Sequence, residues 1–196
     1  MWPGLQDGCQ TQGTLTTNNK RKSTRTSVEH ETLAHVLGAC PFGESLINIR
    51  HHTIRNMMAE ALRDFGYTVY EEVHGVAING SNRRIDIIAF RPSSIIGMIL
   101  DPTIRFETHS VQPEEVDSEK KAIYELTIDY YKDKYQLDSI TVTGLMIGAR
   151  GTIPGFLAKF WNSLDLDRVY LSRIVIAAIR GSISILRNHI YKISTL

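Results

Sequence analysis

Two aspartates, Asp86 and Asp101, have the residue type and spacing best suited to metal-dependent chemistry. Each lies in an apolar, strand-like run, Arg-Arg-Ile-Asp-Ile-Ile-Ala-Phe and Gly-Met-Ile-Leu-Asp-Pro-Thr-Ile-Arg. Because a short loop between adjacent strands brings such residues to one sheet edge, we expect both carboxylates to face a common opening and bind a hard divalent cation. That cation would activate water against a phosphodiester. The alternative is structural, since strand-end aspartates also cap loops or pair with arginines such as Arg83 and Arg84.

A hydrolase of this kind also needs a positive group to hold the attacking water or to stabilise developing negative charge. A helix predicted from Asp117, as its N-cap, to about Tyr135 carries four lysines that could serve: Lys120, Lys121, Lys132 and Lys134. Most helical lysines are simply solvated, so at most two of the four are expected to be functional.

The elements around these residues follow from periodicity and turn signals. Apolar residues at spacings of three and four predict an amphipathic helix that starts near Glu44 and ends at Gly66. The pattern then predicts strand 67–73, an Asn79-Gly80 turn, the two aspartate-bearing strands, a polar loop at 111–116, the lysine helix, strand 139–147, and helices 154–161 and 170–193. The order helix, three strands, helix, strand is typical of an α/β fold with a mixed sheet between helices.

Composition limits the architecture to one domain and a tail, because the chain has 196 residues with 42% hydrophobic content. Lys and Arg number 22 and Asp and Glu number 21, but their distribution is uneven. Residues 101–133 contain nine acidic and four basic side chains, and residues 134–196 contain three acidic and eight basic ones. A polyanion would therefore meet the later stretch.

Two cysteines exclude a disulfide-stapled secreted fold and favour a reducing compartment. The sequence shows neither a signal-peptide core nor a continuous run of about 18 apolar residues, so we expect no membrane role. Residues 1–28 form a polar leader that is expected to be disordered. Its basic cluster, from Lys20 to Arg25, would be a solvated tail, a nuclear-localisation patch or a phosphate contact.

Basic residues in two further places are candidates for nucleic-acid contact. Arg173, Arg180 and Arg187 recur every seven residues and so form one row on the last helix. They would contact phosphates, or be a solvated row on a helix whose other faces are apolar. The run Arg50-His51-His52 at the start of the first helix presents the same two alternatives.

Several motifs, in order, carry a resemblance to a known family. They are Arg50-His51-His52, Gly66, Glu71-Glu72, Arg84-Ile85-Asp86, Leu100-Asp101-Pro-Thr-Ile-Arg-Phe-Glu107, Glu119-Lys120-Lys121-Ala-Ile-Tyr124, Tyr131-Lys-Asp-Lys134-Tyr135 and Gly148-Ala-Arg150-Gly151-Thr-Ile-Pro154. Together they resemble the C-terminal restriction-like endonuclease domain of site-specific non-LTR retrotransposon polyproteins, over about residues 29–192.

That resemblance implies the PD-(D/E)XK nuclease type, with a restriction-endonuclease-like αβββαβ core and a long C-terminal helix. It implies Asp86 and Asp101 as ligands of Mg²⁺ or Mn²⁺, with Lys121 or Lys134 as the helix lysine and Tyr135 beside the latter. The family's usual proline before the first aspartate is Ile85 here, which leaves the carboxylate in place.

The resemblance also implies a Cys-Cys-His-Cys zinc site before the nuclease, and His35 with Cys40 match its second half. The upstream cysteine pair is missing, Cys9 lies far off, and His30 is an unsupported substitute. Because a closed structural zinc site needs four ligands, we expect residues 29–42 to be a degenerate remnant without zinc, and residues 43–196 to be the nuclease domain.

The function expected from all this is a nuclear, metal-dependent endonuclease domain that nicks target DNA to prime reverse transcription. Its partners would be DNA and, through the rest of a polyprotein, the element RNA, with no small-molecule substrate. The alternative is a catalytically inactive DNA-binding remnant.

Overall fold

The computed structural model describes residues 31 to 191. The predicted disorder of the leader falls outside that range, as do Cys9 and His30. The helices are α1 (Leu33–Gly38), α2 (Glu44–Asp64), α3 (Gln112–Tyr124), α4 (Ile128–Tyr135), α5 (Gly155–Ser163) and α6 (Arg168–Tyr191), with 3₁₀ turns at Pro41–Gly43 and Glu125–Thr127. The strands are β1 (Thr68–Val76), β2 (Asn82–Phe90), β3 (Ile96–Arg105) and β4 (Ser139–Gly148).

These strands form one four-stranded mixed sheet in the order β1-β2-β3-β4. The first three are antiparallel neighbours, and β4 runs parallel to β3. A parallel neighbour requires a crossover, which α3 and α4 provide. The predicted order of helix, three strands, helix and strand is confirmed, as is the Asn79-Gly80 turn, where Gly80 has a φ of 78°.

Helices cover both faces of the sheet, and two buried clusters mark the two sides. One cluster joins α2, α5 and α6 to side chains such as Ile87, Leu100 and Leu145. The other joins α3 and α4 to Ile85, Ile99 and Val142. Burial of these aliphatic side chains supplies the main stabilising free energy of the fold.

The region after β3 differs from the sequence prediction. The polar loop expected at residues 111–116 is wrong, because α3 already begins at Gln112 with Pro113 in its first turn, where proline is well tolerated. Asp117 is therefore buried within α3 and does not cap it. The single helix expected to run on to Tyr135 is also wrong, since a 3₁₀ turn divides it into α3 and α4.

The last helix, α6, confirms the prediction of a long C-terminal helix, and its buried residues pack with those of α2 in one core cluster. Within the described range α6 is also the one helix whose length and composition would allow it to cross a membrane, with a mean hydropathy of 1.6 over its best window. The sequence expectation concerned a continuous run of about 18 apolar residues, and α6 is not such a run, because Arg173, Arg180 and Arg187 interrupt it. Core helices of globular proteins can have the same length and hydropathy. Helix α6 buries Leu171, Ile174, Ala178 and Ile185, as a core helix does.

Candidate active site

Asp86 and Asp101 lie on neighbouring strands at the point where those strands stop pairing. The antiparallel ladder of β2 and β3 runs from Phe90–Gly97 to Ile87–Leu100. One further step would oppose Asp86 to Asp101, and that pair is not formed. The two carboxylates nevertheless interact, since burial raises the pKa of Asp101 and the negative charge of Asp86 adds to that rise.

Strands β1 and β2 depart from regular strand geometry at Glu72 and Asp86. On β2, Ile85 belongs to the cluster under α3 and Ile87 to the cluster under α2, so the regular alternation of a strand is broken at Asp86. On β1 the neighbouring position is Glu72, whose φ of 51° is unusual for a residue with a side chain. The β1–β2 ladder skips the pair of Glu72 with Asp86.

The two aspartates have partners on different sides of the sheet. His51 of α2 places Nε2 3.3 Å from Oδ2 of Asp86. The partners of Asp101 come from α3 and from β3 itself. The break in the sheet lies between them, and a common opening for the two carboxylates stays a prediction.

Asp101 is buried, with 3% of its surface exposed, and three groups surround its carboxylate. Thr103 Oγ1 donates to Oδ1 at 2.9 Å, Tyr124 Oη donates to Oδ2 at 2.8 Å, and Lys120 Nζ lies 3.1 Å from Oδ1. Burial raises the pKa of Asp101, opposed first by the charge of Lys120. Burial also raises the pKa of Tyr124, so the phenol stays a hydrogen-bond donor.

Lys120 is the helix lysine that the structure brings to a carboxylate of the pair. Its side chain is 9% exposed, whereas that of Lys121 is 55% exposed and contacts Asp117 at 2.6 Å. Lys134 lies over the rings of Tyr130 and Tyr135, at 5.7 and 5.6 Å from their centroids. The family resemblance favoured Lys121 or Lys134 as the lysine beside the carboxylates. In the structure, Lys120 is the lysine that contacts Asp101.

A sequence signal for Lys120 existed in the spacing of α3. Val116, Asp117, Lys120 and Tyr124 are buried at intervals of one, three and four, which is one helix face. Gly144 of β4 allows this face to approach the sheet, because a Cβ there would lie 2.8 Å from Lys120 Cγ and from the Val116 carbonyl oxygen.

Tyr135 does not join this group of side chains. Its ring packs against Tyr70 and Phe90, with centroid separations of 5.0 and 5.8 Å. The packing of Tyr135 in this aromatic cluster gives it a structural role.

The three predicted phosphate contacts at the start of α2 divide between two environments. His51 and His52 face acidic residues within β2 and β1, His51 lying 3.3 Å from Asp86 and His52 3.8 Å from Glu72. Arg50 is instead buried, donating to the Leu37 carbonyl oxygen and to Ser182 Oγ, each at 2.8 Å. Burial lowers the pKa of Arg50 to about 10. A phosphate contact at Arg50 stays a prediction, and in this structure its guanidinium is used inside the protein.

Glu72 pairs with two arginines near Asp86. Arg55 Nη1 lies 2.6 Å from its carboxylate and Arg84 Nη1 lies 3.4 Å away. Burial acts to raise the pKa of Glu72, but these arginines lower it overall. The ionised carboxylate of Glu72 therefore pairs with Arg84, which lies two residues before Asp86 on β2.

The arginine row on α6 is exposed as a whole, and its members differ in their contacts. Arg173 is paired with Glu60 at 3.2 Å and lies over the ring of Tyr170. Arg180 and Arg187 make no side-chain ion pair with another described residue. Exposed Ile176 and Ile183 lie between the arginines along the helix.

His35 and Cys40 lie near the end of α6. Cys40 is buried, with Sγ 3.7 Å from His189 Nδ1, and His35 Nε2 lies 3.6 Å from a carboxylate oxygen of Glu31. His189 was not anticipated from the sequence, because it is 149 residues away from Cys40.

Comparison with known proteins gives one informative similarity. No family model matches the chain. The chain is 28% identical over 160 residues to a retrovirus-related Pol polyprotein from the type-1 retrotransposable element R2 of Popillia japonica. The match covers 80% of this chain and 32% of the relative, so the chain spans about a third of that protein's length. This similarity supports a retrotransposon origin for the chain.

Proposed function

We propose that the chain is a metal-dependent DNA endonuclease domain of a retrotransposon polyprotein, with a restriction-endonuclease-like fold of the PD-(D/E)XK type. One observation carries the proposal: the Asp101 carboxylate is buried and contacts Lys120 and Tyr124. Asp101 also interacts with Asp86, at the point where β2 and β3 stop pairing. The Pol polyprotein similarity supports the retrotransposon context.

The donor set fits Mg²⁺ or Mn²⁺. Both candidate ligands are carboxylates, hard oxygen donors of the kind these ions take. Each carboxylate oxygen has two acceptor sites, so the contacts of Asp101 with Thr103, Lys120 and Tyr124 leave ligand capacity. Burial penalises the two negative charges, and a divalent cation would offset that penalty. When bound, such an ion would activate water and stabilise charge on the scissile phosphate.

The chain's own residues have separate roles in this proposal. Tyr124 and Thr103 orient the Asp101 carboxylate, and His51 orients that of Asp86. The Lys120 ammonium is positioned to stabilise negative charge that develops on the phosphate oxygens, at a site where burial strengthens electrostatic interactions. Arg84 and His52, which both contact Glu72 on β1, would contact the DNA backbone.

The biological assignment follows from this chemistry. The substrate would be target DNA, and the nick would prime reverse transcription of the element RNA by the rest of a polyprotein. A nuclear location is the setting in which such a cut is made.

A nicking assay on supercoiled plasmid tests the proposal. The wild-type chain should nick with Mg²⁺ and not with EDTA, and Asp86→Asn and Asp101→Asn should abolish nicking while retaining DNA binding. Asp129→Asn, at an exposed position on α4, is the matched control and should nick normally. Circular dichroism should show that all the variants are folded. Activity that survives EDTA, or an active folded Asp101→Asn variant, would refute the proposal.

One observation favours the inactive alternative. The contacts of Asp101 with Lys120, Tyr124 and Thr103 also make a self-sufficient buried ion pair. A remnant that retained the fold would keep this pair for structural reasons. Plasmid binding without nicking at any Mg²⁺ or Mn²⁺ concentration would identify the chain as that DNA-binding remnant.

A further inference from the structure

Three residues with metal-ligating side chains meet where the beginning of the described chain contacts the end of α6. Glu31 precedes α1, Cys40 follows it, and His189 lies in the last turn of α6. One ligand atom from each lies within 4.8 Å of the others. They come from segments distant in sequence, so only the folded chain assembles them.

The imidazole of His189 lies between the other two side chains. Its Nδ1 is 3.7 Å from Cys40 Sγ, and its Nε2 is 2.8 Å from a carboxylate oxygen of Glu31. An ionised carboxylate accepts a hydrogen bond, which favours the proton on Nε2 and leaves the lone pair of Nδ1 directed at the thiol. Glu31 thus fixes the tautomer that binds a cation beside Cys40.

The distance between Cys40 Sγ and His189 Nδ1 fits tetrahedral coordination of a metal ion. With zinc–sulfur and zinc–nitrogen bonds of about 2.3 and 2.05 Å, a tetrahedral angle separates the two ligand atoms by about 3.6 Å. The separation of 3.7 Å between Cys40 Sγ and His189 Nδ1 is close to this value. A metal ion could therefore replace the thiol proton between Cys40 and His189 with little movement of either side chain, and that proton would be released to solvent.

We propose that Cys40, His189 and Glu31 form a binding site for a soft divalent cation of the zinc class. The thiolate selects zinc over the hard cations expected at Asp86 and Asp101. Glu31, whose side chain is 44% exposed, holds the imidazole of His189 in the binding orientation, and solvent completes the coordination. The site differs from the one implied by family resemblance, because His189 of α6 takes the place next to Cys40 and no upstream cysteine pair is needed.

The consequence of binding is a cross-link between the two ends of the described chain. A bound ion would join the segments on either side of α1 to the last turn of α6. Because it would bind only the folded arrangement, it should raise the unfolding temperature in proportion to the logarithm of its concentration.

The test is metal titration of the purified full-length chain after chelator treatment and dialysis. The thiolate-to-cobalt charge-transfer absorption should saturate at one equivalent of Co²⁺, and Zn²⁺ should displace that Co²⁺ and raise the unfolding temperature. Cys40→Ser should remove the absorption and the thermal shift. His189→Gln should weaken Zn²⁺ binding by about tenfold or more. Cys9→Ser is the matched thiol control and should bind like the wild type.

Two sets of results would overturn the site. In the first, folded His189→Gln binds Zn²⁺ as tightly as the wild type, which removes α6 from the ligand set. In the second, Cys9→Ser abolishes binding, or the wild type shows no thiolate-to-cobalt absorption at one equivalent. All readouts are independent of nicking, so the test does not depend on the proposed nuclease activity.

Discussion

At the scale of single residues, neighbouring lysines on α3 have different environments. Successive helix positions diverge by about 100° around the axis, so Lys120 and Lys121 cannot share a partner on one face. Lys120 is buried against Asp101, and Lys121 is exposed beside Asp117. The charge that can act at the carboxylate pair therefore belongs to Lys120.

Replacing Lys120 by methionine should reduce plasmid nicking by about 100-fold or more, because charge that develops in the transition state loses its stabilising partner. DNA binding, measured by gel shift, should change much less. Breaking a buried ion pair also costs about 3–5 kcal/mol, so the folded state must be checked by circular dichroism.

Lys121→Met and Lys134→Met are the matched controls and should nick at rates close to the wild type. The ammonium group of Lys121 contacts Asp117, and that of Lys134 lies over tyrosine rings. A folded Lys120→Met variant with full activity, or a dead Lys121→Met variant, would reverse this assignment.

At the scale of elements, the contact between α3 and β4 determines where Lys120 lies. Gly144 leaves space for the helix backbone, and its N–H donates to Asp117 Oδ1 at 3.0 Å. This buried hydrogen bond anchors α3 on β4 one turn before Lys120. The sequence predicted the strand from its alternation, but the role of Gly144 depends on a contact between distant segments.

Gly144→Ala should destabilise the fold by about 1–3 kcal/mol and lower nicking, because the added methyl group pushes α3 away from the sheet and moves Lys120. Urea denaturation measures the first effect and the plasmid assay the second. Gly155→Ala is the control, since nothing lies within 4 Å of a Cβ at that position. Equal stability and activity of the two variants would show that the close approach is not required.

At the scale of the whole molecule, basic charge is concentrated late in the chain, and α6 exposes part of it. Arg180 and Arg187 have no side-chain ion pair with another described residue, whereas Arg173 is neutralised by Glu60. Phosphate contact by this surface would thus depend on Arg180 and Arg187.

The double variant Arg180→Ala, Arg187→Ala should bind DNA more weakly and with less salt dependence. Each lost phosphate contact lowers the slope of log affinity against log salt by about 0.9, so two contacts account for about 1.8. Fluorescence anisotropy at several salt concentrations measures the slope. Arg173→Ala should leave it nearly unchanged, and an unaltered slope in the double variant would exclude α6 from the DNA interface.

Local patterns predicted much of the architecture, and tertiary contacts determined the rest. Periodicity located α2, α6 and the strands, since their buried faces recur at helix or strand spacing. It misjudged α3, where Pro113 and acidic residues resemble a loop but form a helical first turn. Asp86 and Asp101 were recognisable because they interrupt apolar runs. His189 was not, because its approach to Cys40 depends on the docking of α6.

The buried Arg50 has a consequence for the order in which the chain folds. Its guanidinium donates to the Leu37 carbonyl oxygen and to Ser182 Oγ, which lies 132 residues after Arg50. The Ser182 hydroxyl donates in turn to the Ala149 carbonyl oxygen. Before α6 docks, Arg50 would have to remain in water, because burial without these acceptors is costly. Contacts of such long sequence separation slow folding. A nascent chain on the ribosome therefore cannot complete this core until α6 has emerged.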